Sequence, residues 1–293
     1  MQQKYEGPLV QCGRKISIEE IEEIRETVSV FQGLSREELA VTICEHLEWY
    51  SASGSPKADA CLNLLGKLES EGFLKLPEKR TCSRRAHERP HPTERTEAQR
   101  RIEGRLTDIG LIRLKIVWGR EETGLWNEYV NQYHYLGYKQ PFGCFARYFV
   151  ESESGKLGCL LFSGAAKGLR ERDRWIGWSQ SSRLRNLGRI VNNTRFVIFP
   201  WVRVKNLASH VLGQAARRIE EDWQERWSYR PVLLETFVDP RYFDGTCYQA
   251  ANWRYLGMTT GEGLVRKGKS YTTSPKKIFV KPLVDDFRTV LCS

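Results

Sequence analysis

Three carboxylates, a phenol and an imidazole are the groups in this sequence best placed to do chemistry: Asp173, Glu235, Asp239, Tyr248 and His134. Glu235, Phe237 and Asp239 alternate along one apolar run, so in a strand they share a face. Glu235 lies inside that run, Val232 to Val238, where an unpaired carboxylate is costly. It needs an arginine, a metal or a shared proton. With Asp173 brought near, the three carboxylates are hard oxygen ligands of the kind that hold Mg²⁺ for phosphodiester cleavage. The competing expectation pairs Glu235 with an arginine such as Arg195. Tyr248 follows Asp244-Gly245-Thr246, a helix start, so its hydroxyl could attack a phosphodiester with His134 nearby. The plainer expectation is a packed aromatic. Cys247 could pair with His134, although a small buried thiol is the commoner fate. Cys82, His87 and His91 lack a fourth ligand at zinc spacing and read as part of a linker.

A second constellation is basic and aromatic. Arg170, Arg172, Arg174, Arg183, Arg185 and Arg189 interleave with Trp175 and Trp178, and against Glu171 and Asp173 they give +4 over residues 170–189. Arginine clamps phosphates and tryptophan stacks unpaired bases, so this loop is the expected nucleic-acid contact. Lys205, Asn206 and the pair Arg84 and Arg85 extend it. The alternative is an exposed loop whose tryptophans anchor it to the core.

The elements that must position these groups fall into two modules. Ser17 with Glu20, and Ser35 with Glu38, are capping boxes that open helices, the first running to Val28. A third helix begins near Pro56 and carries Ala60, Leu64, Leu65 and Leu68 on one face, before a short strand from Phe73 to Pro77. Three helices and a strand predict a winged helix-turn-helix over residues 1–78. Residues 79–108 read as a basic linker, and 109–293 as an α/β domain. In that domain the expected order begins with a strand at Leu111 to Trp118, a helix at Gly124 to Tyr133 and a hairpin of Phe145 to Val150 with Leu157 to Ser163. A doubly buried strand at 195–202 follows, then a long helix capped by Asn206 and a strand from Pro231 to Val238. A helix from Asp244 to Leu256 leads to final strands around Leu264 and Ile278. This alternation implies a mixed sheet.

Charge divides along the same line. The chain of 293 residues has a net charge of +10, yet residues 1–78 hold 8 basic and 14 acidic residues, leaving 38 and 22 in 79–293. A polyanion surface is therefore expected on the larger module. No apolar run nears the ~18–20 residues of a bilayer span, and no secretory signal begins the chain, so no membrane partner is expected. The eight cysteines are scattered without a Cys-x-x-Cys pair, which suits a reducing cytoplasm.

That order of hairpin, buried strand, loop, long helix, strand, helix and final strands resembles the GNAT acyltransferase fold. The resemblance implies an acetyl-CoA pyrophosphate loop at Arg203 to Ala208, where Asn206 replaces the family glycine. It implies an acid tyrosine where Trp253 stands. With both features altered, acetyl-CoA is not the expected cofactor. A closer resemblance lies in residues 133–138 (YHYLGY), 173–178 (DRWIGW), 193–209 (NTRFVIFPWVRVKNLAS), 234–239 (LETFVD) and 245–253 (GTCYQAANW). These look like the DruA family of the Druantia anti-phage system and its mobile-element-linked relatives. The resemblance implies DNA handling in defence or mobility. The expected function is binding of single- or double-stranded DNA, with cleavage, nicking or strand transfer in the large domain. Other defence-system proteins are expected as partners. The alternatives are an acyltransferase and a non-catalytic DNA sensor.

Overall fold

Ser17 and Ser35 each stand three residues before a glutamate, and each opens a helix. In the computed structural model, which describes residues 9–31, 34–78, 90–141, 144–261 and 274–293, both capping boxes are closed. Each serine hydroxyl accepts from the glutamate N–H while the carboxylate accepts the serine N–H, which satisfies donors a helix start leaves orphaned. The helices are α1 (Ile18–Val30) and α2 (Arg36–His46), preceded by a hairpin of β1 (Leu9–Gln11) and β2 (Arg14–Ile16). With α3 (Ala58–Ser70) they bury Ile21, Ile24, Ile43, Leu64, Leu65 and Leu68 in one core. The strand expected at Phe73 to Pro77 is not formed. That segment instead inserts Phe73, Leu74 and Leu76 into the core, and the paired strands β1 and β2 precede the helices. The wing of a winged helix is thus not seen among the described residues.

The chain divides into two units, 1–87 with 179–186, and 88–178 with 187–293. The expected linker therefore ends early: from residue 90 on, the chain is built into the large unit. β3 (Ile102–Gly104) pairs there, Thr96 is buried, and the hydroxyls of Tyr129 and Tyr133 donate to the carbonyls of Arg95 and Thr96.

The large unit continues with β4 (Arg113–Ile116), α4 (Gly119–Tyr133), β5 (Phe145–Ser152), β6 (Gly155–Gly164) and α5 (Arg170–Ile176). The helix α6 (Gln180–Asn186) groups with the N-terminal unit. Then come β7 (Ile190–Ile198), β8 (Val202–Val204), α7 (Leu207–Trp227), β9 (Leu233–Val238), α8 (Thr246–Ala250), β10 (Arg254–Met258), β11 (Lys277–Pro282) and α9 (Phe287–Cys292). Seven strands form one sheet in the order β10-β11-β9-β7-β6-β5-β4, and β3 pairs with β8 outside it. Every neighbour in the large sheet is antiparallel except β7 with β9. A parallel pair needs a crossover, and α7 supplies it. Trp126 and Tyr129 of α4 and Leu212, Ile219 and Trp223 of α7 pack with Phe149, Leu160 and Phe162 of the sheet.

The expected mixed α/β architecture is present, with three local corrections. The buried strand starts at Ile190, five residues earlier than its apolar run, because Asn192 and Asn193 continue it. The helix expected to reach Leu256 stops at Ala250, since Asn252 takes a left-handed φ of 59° and the chain leaves as β10. The arginine-rich stretch is helical, as α5 and α6, where a loop was expected. The strand expected near Leu264 lies outside the described residues.

Candidate functional site

β7 and β9 pair only from Ile190 opposite Leu233 to Asn192 opposite Glu235, although both strands run on. The parting coincides with a bulge. Across from β6, Leu161 faces Arg195 and Phe162 faces Asn193, so Thr194 is an extra residue. A bulge bends its strand and ends regular pairing, and here it stands where β7 leaves β9. A cavity of about 340 Å³ lies between the two strands, within the roughly 300–1,000 Å³ usual for small-ligand sites.

Asn193 ties its floor together. The carboxamide nitrogen donates to the carbonyls of Leu161 and Arg195, both at 3.1 Å. Its Oδ1 accepts the Tyr248 hydroxyl at 2.7 Å, and its carbonyl accepts the Thr236 hydroxyl at 2.9 Å. Neither Asn193 nor Thr236 is among the residues expected from sequence. Their signal was a polar side chain inside an apolar strand, which must find a partner when buried.

The cavity brings together His134, Asp239 and Tyr248. The His134 Nδ1 accepts the Leu136 N–H at 3.2 Å, and burial together with the Arg195 guanidinium pushes its pKa down to about 3. The ring is therefore neutral at pH 7, with its proton on Nε2. Arg195 donates to the carbonyls of Gly137 and Thr194, not to Glu235. Asp239 accepts Arg241 at both oxygens, 3.0 and 2.8 Å, and the Ser274 hydroxyl at 2.9 Å. The Arg241 hydrogen bonds hold its carboxyl well below the usual range. Burial pushes the Tyr248 phenol above its ordinary range, and its hydrogen-bond partners, Asn193 and Thr236, are not bases. Cys247 also lines the cavity, and burial likewise raises its thiol.

Asp173 and Glu235 are spent elsewhere. Glu235, fully buried, accepts the Ala166 N–H at 2.7 Å and Arg172 Nη1 at 2.7 Å. Arg172, also fully buried, grips Asp173 through Nε and Nη2 at 2.9 and 2.8 Å, and Asp173 takes the Leu169 N–H at 3.1 Å. Burial pushes the Glu235 carboxyl upward against the pull of Arg172. The expected trio of metal ligands is corrected accordingly. Two of its members share one guanidinium and the third is held by Arg241. Among the described residues no group of three His, Cys, Asp or Glu is placed to hold a metal ion.

The basic and aromatic stretch also divides. Arg172 is a buried ion-pair partner, not a phosphate clamp. Trp175 stacks on Phe287 of α9 at 5.0 Å with Arg288 over its face, so it anchors α5. The Arg172 guanidinium lies 5.7 Å from the Trp178 ring. Arg170 and Arg174 are exposed beside Glu171. Arg183 and Arg185 fall in the N-terminal unit, and Arg189 in the large one. Lys205 and Asn206 are exposed ahead of α7. Asn206 makes no side-chain cap but adopts φ 63°, the left-handed conformation that the replaced glycine would take and that asparagine tolerates. Arg84, Arg85, Cys82 and His87 lie outside the described residues.

The family model of the Druantia protein DruA matches residues 67–273. The chain belongs to the DruA family. A defence-related role comes with that membership, and the match spans the cavity and both groups of candidate residues. No curated protein matches the chain. Among solved structures, an acetyltransferase from Bacillus subtilis in complex with CoA is similar over 59% of this chain and 100% of its own, at 8% identity and a TM-score of 0.37. A spermidine N-acetyltransferase chimera from Vibrio cholerae and hSSAT covers 59% and 95%, at 10% identity and 0.38. A polyamine N-acetyltransferase from Drosophila melanogaster covers 58% and 99%, at 12% identity and 0.37. Likeness at this level carries no inference about activity. Among the described residues of this DruA-family chain, no helix is long and apolar enough to cross a membrane.

Proposed function

We propose that the chain is a DNA-binding protein of anti-phage defence whose large unit engages a DNA strand at the cavity between β7 and β9. The observation that carries this is the joining of His134, Asp239 and Tyr248 at one cavity, in a unit with 32 basic against 22 acidic residues. With Asp239 matched by Arg241, this carboxylate does not stand against a phosphodiester unpaired. Neutral His134 offers an Nε2–H donor to a phosphate or a base. The setting is the cytoplasm, alongside other proteins of the defence system.

The test is binding of labelled single- and double-stranded DNA to the full chain over a KCl series. Affinity falls steeply with salt, with a log–log slope of about −0.7 per phosphate neutralised on a single strand. A chain that binds neither DNA at low salt overturns the reading. Strand cleavage is the second reading, favoured by Tyr248 and His134 lining the same cavity. A covalent adduct lost on Tyr248→Phe, or nicks that need Mg²⁺, selects it. A strand that is bound but unaltered leaves a non-catalytic sensor. Acyl transfer is disfavoured, because Trp253, buried against Tyr248, has no acidic proton to give a thiolate.

A further inference from the structure

Two exposed rings, Tyr135 and Phe243, line the cavity, and a third, Tyr242, packs against Tyr135 beside it. Tyr135, Tyr242 and Phe243 are 40%, 58% and 55% exposed. They are gathered, not scattered: the Tyr135 ring lies 4.9 Å from Tyr242 and 5.6 Å from Phe243, and His134 stacks on it at 4.9 Å. Single exposed aromatics need no explanation, but a cluster rimming a concavity marks a binding surface. Arg241 lies 5.4 Å from the Tyr242 ring and remains 62% exposed while it holds Asp239.

We propose that this aromatic rim and the cavity behind it capture an unpaired nucleobase, from a single strand or one extruded from a duplex. The inference deepens the DNA reading above and rests on it. Aromatic faces stack any base, which suits a strand held without regard to sequence. Beyond Asn192 and Glu235 the strands β7 and β9 no longer pair with each other, which leaves the cavity between them where a base would lie. Asn193, Thr236 and Tyr248 set polar groups into a lining otherwise formed largely by Phe196, Val197, Phe237 and Val238, a mixture that suits the faces and edge of a heteroaromatic ring. Arg241 places a cation beside the stacking rings, where the adjoining phosphate would pass.

The probe is a single-stranded oligonucleotide carrying 2-aminopurine, whose fluorescence is quenched by stacking, titrated with the full chain. The expected result is quenching on binding. Tyr242→Ala and Phe243→Ala each weaken binding roughly five- to hundredfold and relieve the quench. Tyr242→Phe, which keeps the ring, retains both. Unchanged melting temperatures confirm that these exposed substitutions leave the fold intact. DNA binding with no quench, and equal in the alanine variants, overturns base capture and leaves the DNA reading standing. Failure of the wild-type chain to bind any DNA overturns both. Displacement of the oligonucleotide from the rim by acetyl-CoA assigns the cavity to a different ligand and overturns base capture alone.

Discussion

Arg172 governs what Asp173 and Glu235 can do. It supplies one guanidinium to both carboxylates, and it and Glu235 are fully buried. Removing one partner of such a pair leaves an uncompensated charge in the core. Arg172→Met is therefore expected to cost roughly 3–5 kcal/mol in urea unfolding, and Arg172→Met with Glu235→Met to recover most of it. An unchanged midpoint in the single variant contradicts this role. His134 carries a pH signature. Its pKa is about 3 in the folded chain against an ordinary 6.5, so between these values the unfolded chain binds more protons. Stability is fully present above pH 6.5 and falls as pH drops towards 3, at up to about 1.4 kcal/mol per unit from this group. His134→Gln is expected to flatten that acid limb, as read by thermal melts from pH 7 to 4. An identical limb in both proteins rules it out. At this scale the sequence showed that Glu235 needed a partner but not which one. Arg195 is nearer along the sheet, whereas Arg172 reaches Glu235 only because α5 is folded against β9's end of the sheet, a long-range fact.

At the scale of elements, the site exists because β7 carries one residue too many. The bulge at Thr194 stands where β7 and β9 separate, and Asn193 satisfies carbonyls on β6 and β7 beside it. Asn193→Ala takes a donor from those carbonyls and the acceptor from the Tyr248 hydroxyl, with an expected cost of about 1–3 kcal/mol for each buried group left unpaired. Tyr248→Phe, which removes the bond to Asn193 and the longer one from Thr236 but keeps the ring, is expected to cost about 1 kcal/mol. Chemical denaturation of the two variants checks the order, and a milder Asn193→Ala contradicts it. Gly158 on β6 is a second constraint, since a Cβ there would stand 2.3 Å from the Val197 carbonyl oxygen. Gly158→Ala must push β6 and β7 apart and is expected to lower the melting temperature. The helices were legible because capping boxes and apolar spacing are local. The hairpin of β5 and β6 and the long α7 were legible for the same reason, whereas the strand order of the sheet was not. The bulge, the end of α8 and the absent strand at Phe73 to Pro77 were not, because each depends on pairing between distant segments.

Over the whole molecule, the charge read from the sequence and the division of the fold agree, with the positive excess in the large unit, 32 basic against 22 acidic residues. Residues 1–78, whose sequence pattern suggests a DNA reader, carry a net −6, with 8 basic against 14 acidic residues, and show no wing among the described residues. The excess of positive charge belongs to residues 79–293, which also hold the cavity and its aromatic rim. Counterion release scales with phosphates neutralised, so affinity should be dominated by the basic part of the chain. Photo-crosslinking of the full chain to a single strand carrying 4-thiothymidine, followed by peptide mass spectrometry, tests this most directly. Adducts are expected in the segments around Tyr135 and around Tyr242 and Phe243. Adducts confined to residues 9–78 would contradict the account.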